Sequence, residues 1–378
     1  MIATEHVKFM RRALRLARRG QGRVEPNPMV GCVLARDGAV VAQGWHQHFG
    51  GPHAEIVALR QAAQRSVNVS ACDLYVTLEP CCHHGKTPPC TEALIAARPR
   101  RVVVAMADPF PLVAGRGIAA LRQAGIDVEV GIEEDQSREL NAPFIKRVAT
   151  GRPWTIAKWA QTLDGRTATR SGESKWISNP NSRMLVHRLR ARVDAVMVGI
   201  RTVLADDPQL TARDVRVCRI ARRVVVDPDL RLPESAALLR TLGSAPLTLA
   251  VRQTLLNQPT DRVGQLRAQG VEIIGLPTAT ELPGRLALTP LMNHLAQQHA
   301  ATNVLVEGGA TLIGTMLEEH LVDQVLAFVA PMIVGDAQAL PAVVGRELLH
   351  MHHAHKLTLH SVKRIEHDLL LDYRVNNF

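Results

Sequence analysis

Two spacings of apolar residues trade places along this chain. In residues 5–19, Val7, Met10, Leu14 and Ala17 recur at helical spacing, with Arg11, Arg12, Arg15, Arg18 and Arg19 among them and Gly20 at the end. That pattern predicts an amphipathic helix whose arginines form a solvated face. Val30 to Leu34 and Ala39 to Gln43 read as the strands of a hairpin, with Asp37-Gly38 as its turn. A helix is expected from near Pro52 to about Gln64, a strand over Leu74 to Leu78, a helix over Cys90 to Ala97 and a strand over Arg101 to Ala105. Helix and strand alternate once more through Ile118–Ala124 and Val128–Val130. Alternation of this kind is the mark of an α/β layered domain.

Turn chemistry in Ala149-Thr150-Gly151-Arg152-Pro153, with a fresh strand over Trp154 to Trp159 behind it, places a boundary near residues 147–153. Strands are predicted at 194–198, 223–227, 246–251, 271–274, 303–307 and 325–330, several of them separated by helices. The second half therefore reads as another α/β domain with its own core. No internal repeat is visible. His350, His352, His353 and His355 form a histidine-rich stretch, read as solvated surface, with a second metal site as the alternative.

A length of 378 residues suits two domains. A hydrophobic fraction of 46% with only 3% aromatics means cores built from Ala, Val and Leu. No run reaches the ~18 apolar residues of a membrane span. The first dozen residues are charged early and lack an apolar signal region, so the expected compartment is the cytoplasm. Six cysteines do not make a disulfide scaffold. Cys32, Cys72 and Cys218 are read as buried thiols. The net charge of +10 is spread over both halves, which suits steering of anionic small molecules better than a nucleic-acid arm.

The chemistry concentrates in His53-Ala54-Glu55, Pro80-Cys81 and Cys90. One His and two Cys are three zinc ligands, and a catalytic zinc keeps its fourth position for water. His-x-Glu followed by Pro-Cys-x-x-Cys is the zinc nucleobase deaminase arrangement, although here the second cysteine follows at nine positions rather than three. Zinc lowers the pKa of bound water toward ~7, and Glu55 is placed to take that proton and deliver it to the ring nitrogen and departing amine. His53 and Cys90 both lie at predicted helix starts, where the dipole favours anions. Cys82 could replace Cys81, and His83 or His84 could close the site as a structural zinc.

Pro80-Cys81-Cys82-His83-His84-Gly85-Lys86-Thr87-Pro88-Pro89-Cys90 resembles the bifunctional deaminase–reductase of riboflavin biosynthesis, as do Pro26-Asn27-Pro28-Met29-Val30-Gly31 and Gly44-Trp45-His46 upstream. The resemblance implies that Asn27, His46 and Lys86 hold the pyrimidine and ribose phosphate of the deaminase substrate. By itself Asn27, between two prolines, could equally be a turn residue. The family usually has Asn where this chain has Phe110, which cannot make a polar contact there.

In the second half, Val304 to Leu312 reads as strand, Gly308-Gly309 turn and a helix to about Glu319, a plain turn or a phosphate site. Lys158 to Arg166, Ser174 to Ser178, His187 to Arg190, Gly199 to Arg213 and Glu307-Gly308-Gly309 are similar to the reductase motifs of the same family, in the same order. The resemblance implies NADPH contacts at Ala160, Trp176, Thr202, Asp206, Gly309, Ala310, Thr311, Leu312, Ile313, Gly314 and Thr315. It implies substrate contacts at Ser174, Arg190, Leu210, Arg213 and Glu307. Arg190 and Arg213 could grip a phosphate in fork geometry, and Glu307 could anchor sugar hydroxyls or the pyrimidine. Trp176 alone could be a core residue, and Asp206 a turn residue beside Pro208.

The expectation is thus a cytidine-deaminase-like α/β/α layered domain with a mixed sheet over 1–148 and a dihydrofolate-reductase-like α/β domain over 149–378. Its cofactors would be one Zn2+ and NADPH. Its activity would be zinc-hydroxide deamination of a phosphoribosylamino diaminopyrimidinone, then reduction of the ribosyl side chain of the resulting uracil to ribityl. The expected partners are small-molecule phosphoribosylaminopyrimidines and further copies of the chain in a homo-oligomer, not nucleic acid or a membrane. The rivals are a nucleic-acid base deaminase with an RNA-binding second domain, and a zinc-stabilised binding protein without activity.

Overall fold

The computed structural model describes residues 2–83, 88–111, 113–257, 261–280, 284–345 and 348–376. Lys86 and His84 lie outside the described residues. The chain divides into two compact units, Met1–Gly151 and Arg152–Phe378.

The first unit runs α1 (Ile2–Ala17), β1 (Gly31–Arg36), β2 (Ala39–Trp45), α2 (Ala54–Gln64), β3 (Asp73–Val76), α3 (Cys90–Ala97), β4 (Arg101–Val104), α4 (Arg116–Gln123), β5 (Asp127–Val130), α5 (Glu134–Leu140) and α6 (Ala142–Thr150). Its five strands lie in the order β2-β1-β3-β4-β5. β1 runs antiparallel to β2 and β3, whereas β3, β4 and β5 are parallel. Side chains alternate between faces with period two. Cys32, Leu34, Leu74, Val76, Val102 and Val104 meet Ala54, Ala58, Ala62, Leu94 and Leu121 of α2, α3 and α4. Val33, Ala35, Tyr75 and Val103 meet Phe9, Met10, Ala13 and Leu14 of α1. Asp37 and Gly38 both have positive φ, 53° and 74°, as the tight hairpin turn requires. Arg11, Arg15, Arg18 and Arg19 are exposed. Cys32 and Cys72 are buried as expected, but Cys218 is exposed.

α5 and α6 went unforeseen because EDQSREL has almost no apolar stripe and α6 overlaps the stretch expected to be linker. α6 carries the first unit to Thr150, and Gly151 at φ 70° ends it, so the division falls three residues after the expected 148.

The second unit runs β6 (Trp154–Thr162), β7 (Arg166–Ala168), α7 (Pro180–Arg190), β8 (Ala195–Gly199), α8 (Ile200–Asp206), β9 (Arg222–Val226), α9 (Ala237–Arg240), β10 (Leu247–Arg252), α10 (Gln253–Asn257), α11 (Asp261–Ala268) and β11 (Glu272–Leu276). It continues through α12 (Thr289–Gln298), β12 (Asn303–Val306), α13 (Ala310–Glu318), β13 (Gln324–Ala330), β14 (Leu340–Pro341), β15 (Leu357–Ile365) and β16 (Asp368–Val375). Nine strands form one sheet, β11-β10-β9-β8-β12-β6-β13-β16-β15. It is parallel from β11 to β13, and β16 and β15 add antiparallel at one edge. Leu189, Val203, Leu238 and Leu266 cover one face, and Leu291, Leu295, Ile313 and Met316 the other.

The terminal hairpin β15–β16 was not anticipated. β15 is exposed at every position but Ile365, so it carries no buried apolar run to betray it. His350, His352 and His353 lie just before it on the surface, as expected of solvated residues.

Gly31 marks the tightest contact of helix with sheet in the first unit. A Cβ there would lie 2.0 Å from the Ala13 carbonyl oxygen on α1. Gly31→Ala should therefore force α1 off β1 and destabilise the protein by about 2 kcal/mol, measured as a lowered thermal unfolding midpoint of the first unit.

Candidate functional site

The first unit gathers its chemistry where α2 and α3 begin. His53 is the extended residue that precedes α2, and Cys90 is the first residue of α3. His53 Nδ1 lies 3.2 Å from Cys90 Sγ and 3.5 Å from Cys81 Sγ. The three ligand atoms lie within 4.8 Å of one another, with no fourth member among the described residues; Cys82 is not in the group. Two thiol sulfurs and one imidazole nitrogen, converging at the positive ends of two helices, fit a zinc with an open position.

Electrostatics agree with a thiolate here. Donation from the Cys90 thiol pulls Cys81 down to about 4 and pushes Cys90 upward. The Cys90 amide also donates to Cys81 Sγ at 3.3 Å. Hydrogen bonding to Cys81 raises His53. Glu55, in the first turn of α2, is 3% exposed, and burial pushes its carboxyl up to about 7.

His46 and Asn27 come together beside this cluster. His46 Nδ1 lies 3.0 Å from the Pro52 carbonyl oxygen, and its Nε2 lies 3.4 Å from Asn27 Nδ2. Burial lowers the His46 pKa, so the ring is neutral, its Nδ1–H donating to Pro52 and its Nε2 accepting from Asn27. The His46 and His53 rings meet edge to face, centroids 5.4 Å apart.

A residue that sequence reasoning passed over organises the rim. Glu79 is buried and accepts four backbone N–H groups, those of Asp108 and Gly115 on Oε2 and of Gly117 and Ile118 on Oε1, at 2.8–3.2 Å. It closes the loop that carries Phe110 onto the start of α4, where the dipole favours a carboxylate. A Cβ at Gly117 would lie 2.1 Å from the Pro80 carbonyl oxygen, which accounts for that glycine. The available signal was an acid directly before Pro80-Cys81. Phe110 is exposed, 6.3 Å between ring centroids from His83.

In the second unit, β8 and β12 are neighbours, yet α8 leaves β8 onto one face and α13 leaves β12 onto the other. That is a topological switch point, where α/β sheets bind ligands beyond the carboxyl ends of the strands. Gly309 stands before α13 with no side-chain cap, leaving first-turn amides open to an anion. A Cβ on Gly309 would lie 3.3 Å from Thr202 Oγ1 on α8, so the two form one narrow cradle. Gly308, at φ 104°, needs to be glycine. The cradle suits the phosphates of a dinucleotide such as NADPH.

Ala310 and Thr311 line the start of α13, but Leu312 and Ile313 are core residues. Gly314 packs on the Val344 carbonyl oxygen, and Thr315 bonds to the Thr311 carbonyl oxygen and to Arg285. Of the expected stretch, only Gly309, Ala310 and Thr311 stay open at the surface, because the helix turns the rest inward. Trp176 is 66% exposed with the Arg183 guanidinium 4.2 Å over its ring, so it is not a core residue. Asp206 pairs with Lys175 at 3.5 Å, and Ala160 and Ser174 are half-buried.

Arg190 does not present its fork to solvent. Its Nε and Nη2 donate to the two oxygens of Glu307 at 2.5 and 2.9 Å, and Nη1 donates to the Thr211 carbonyl oxygen. The expected phosphate grip by this edge of Arg190 is thus replaced by a bidentate pair that aims Glu307. Leu210 is 2% exposed, so only its backbone, at φ 57°, could meet a ligand. Arg213 stays exposed. Lys158, unremarked in its motif, lies 3.9 Å from Glu307, and burial lowers its pKa. Burial would raise Glu307, but Arg190 and then Lys158 outweigh it and hold the carboxyl at about 2.

These geometries define a zinc-type deaminase fused to a nicotinamide-type reductase. Residues 3–106 match the cytidine and deoxycytidylate deaminase zinc-binding region, and residues 153–371 match the RibD C-terminal domain. The chain is 41% identical over 346 residues to the riboflavin biosynthesis protein RibD of Escherichia coli K12, covering 90% of this chain and 92% of that one. It is 38% identical over 340 residues to RibD of Aquifex aeolicus, covering 90% and 91%. Among solved structures, Acinetobacter baumannii RibD matches with TM-score 0.84 and 36% identity over 100% of both chains. The Thermotoga maritima diaminohydroxyphosphoribosylaminopyrimidine deaminase/5-amino-6-(5-phosphoribosylamino)uracil reductase matches with TM-score 0.84 and 32% identity over 99% of this chain and 100% of that one. The chain belongs to the RibD family, the bifunctional zinc-dependent deaminase and NADPH-dependent reductase of riboflavin biosynthesis.

The Glu307 carboxylate, held below its unfolded pKa, adds stability that is fully present above about pH 4.5 and lost as pH falls toward about 2. Acid titration followed by circular dichroism should show a shallower loss of stability across that window in Glu307→Gln than in the parent protein.

Proposed function

We propose that the first unit hydrolytically deaminates 2,5-diamino-6-(5-phosphoribosylamino)pyrimidin-4(3H)-one, and that the second reduces the ribosyl group of the resulting uracil to ribityl. The observation that carries this reading is the convergence of His53, Cys81 and Cys90 beside the buried Glu55. The substrate class is that in the name of the Thermotoga relative. The three ligands would hold Zn2+, which when bound supplies the Lewis acidity that makes water a nucleophile at neutral pH. Glu55 takes the proton of the attacking water and returns it to the ring nitrogen and leaving amine. Asn27 presents an amide to the base edge, and neutral His46 holds it there. Lys86 is assigned to the ribose phosphate.

In the reductase, NADPH supplies the hydride. Thr202, Gly309, Ala310 and Thr311 bind its phosphates, while Trp176, Ala160 and Asp206 flank it. Glu307, aimed by Arg190, binds the substrate with Ser174, the Leu210 backbone and Arg213. Lys158 beside Glu307 keeps the pocket cationic for an anionic substrate.

Among the described residues no helix is long and apolar enough to cross a membrane. We place the enzyme in the cytoplasm, because the thiolate ligands Cys81 and Cys90 persist in a reducing compartment. The assembly is read as a homo-oligomer that acts on small molecules rather than nucleic acid. The support for self-association is β15, a nine-residue edge strand exposed at every position but Ile365. Sedimentation of a monomer at micromolar concentration would refute that part.

Coupled assays of ammonia release and NADPH oxidation test the two-step reading. No ammonia from zinc-loaded protein rejects the deaminase substrate, and ammonia without NADPH oxidation rejects the reductase step. His53→Ala should abolish deamination yet leave reduction of the deaminated intermediate intact. Glu55→Gln should retain its zinc while deamination falls by at least ~100-fold. Trp176→Ala should raise the KM for NADPH by about tenfold with little change in deamination.

A further inference from the structure

A second group of metal-ligating side chains lies at the opposite end of the reductase sheet from Glu307 and Gly309. Glu272 opens β11, the edge strand, and sits in register with Thr248 of β10. His294 comes from α12, and His299 is the residue that terminates it. Both imidazoles turn Nε2 toward the same carboxylate. His294 Nε2 lies 2.9 Å from Glu272 Oε1, and His299 Nε2 lies 3.1 Å from Oε1 and 3.0 Å from Oε2. All three ligand atoms lie within 4.8 Å of one another, and each residue is only partly exposed.

We propose that Glu272, His294 and His299 bind a zinc-class divalent cation, separate from the deaminase metal, through two imidazole nitrogens and one carboxylate oxygen. Ring placement is already that of a ligated pair. Two imidazoles on one tetrahedral zinc at ~2.0–2.1 Å would set their ring centres roughly 5 Å apart, and the two rings here are 5.3 Å apart, nearly edge to face. Each imidazole nitrogen would need to move from Glu272 Oε1 by only a few tenths of an ångström, since tetrahedral donors stand roughly 3.3 Å apart.

Surrounding groups prepare the carboxylate. Thr248 Oγ1 donates to Glu272 Oε2 at 2.7 Å, and Arg222 Nη1 donates to the same oxygen at 3.1 Å. With Oε2 anchored, Oε1 is directed at His294, the outer-shell arrangement that orients a ligand. The Arg222 charge opposes a cation, but it sits on the anchored oxygen. His299 stands at the carboxyl end of α12, where the dipole favours positive charge. Two imidazoles with one carboxylate select Zn2+ or Ni2+ over Mg2+ or Ca2+. On binding, each neutral imidazole would carry its proton on Nδ1 and leave the Nε2 lone pair for the metal, with no net proton release. The ion would tie the edge strand β11 to α12, at the end of the sheet opposite Glu307.

Full-length untagged protein, stripped with chelator and dialysed against buffered micromolar Zn2+, should hold two zinc ions per chain by elemental analysis. His294→Ala/His299→Ala and the near-isosteric Glu272→Gln should each hold one, with deamination unchanged. His53→Ala should keep one, and its Co2+ form should show ligand-field bands without the sulfur charge-transfer band of the thiolate site. One zinc per chain in the parent protein overturns the proposal. So does a second zinc that survives both triad variants, which would assign it to the exposed His350, His352 and His353. Circular dichroism of Glu272→Gln guards against misfolding, because that change removes the charge without the volume.

Discussion

The deaminase site depends on how closely two helices can approach the sheet beneath them. α2 and α3 start at a common point, and that point is the metal cluster. Their positive ends meet there only because small residues let the backbones come together. Ala54, Ala58 and Ala62 form the inner face of α2. A Cβ on Gly44 would lie 2.5 Å from the Ala54 carbonyl oxygen, so β2 and α2 touch backbone to backbone. Bulkier side chains would lift α2 and carry His53 away from Cys90. Packing, helix dipole and ligand geometry are therefore one constraint, and Glu55 is buried by the same contact that positions His53.

The reductase reaches a site by different means. Its crevice comes from connectivity, with α8 and α13 leaving neighbouring strands toward opposite faces. The Glu307 carboxylate and the open amides of α13 both follow the end of β12, a few residues apart, and α8 brings Thr202 beside them. The buried Arg190–Glu307 pair shows the cost of placing charge there. A desolvated carboxylate is tolerable only with its counter-ions in contact, and Arg190 spends its fork on that task. Lys158 adds a second positive group without sealing the pocket.

Much of this was legible in the order of residues. The hairpin turn at Asp37-Gly38, the alternating strands and the helix starts at His53 and Cys90 are local, set by φ preference, pleat and the prolines Pro52 and Pro89 that precede the helices. His53, Glu55, Cys81 and Cys90 could be nominated because metal ligands have few residue types and short-range spacing. Elements without a buried stripe, α5 and the β15–β16 hairpin, escaped because hydrophobic pattern is silent where little is buried.

What the order of residues determined was chemistry and local form: zinc-type ligands beside an acid, a Gly-Gly turn before a helix, and two α/β units. Tertiary structure decided which candidates meet. It separated Cys81 from Cys82, turned Leu312 and Ile313 into core, exposed Trp176, buried Leu210 and spent the fork of Arg190 on Glu307. It also brought Glu272 to His294 and His299, residues more than twenty positions away. The physical reason is that a side chain's role rests on its partners and its solvent access, and both are set by contacts between residues distant in sequence.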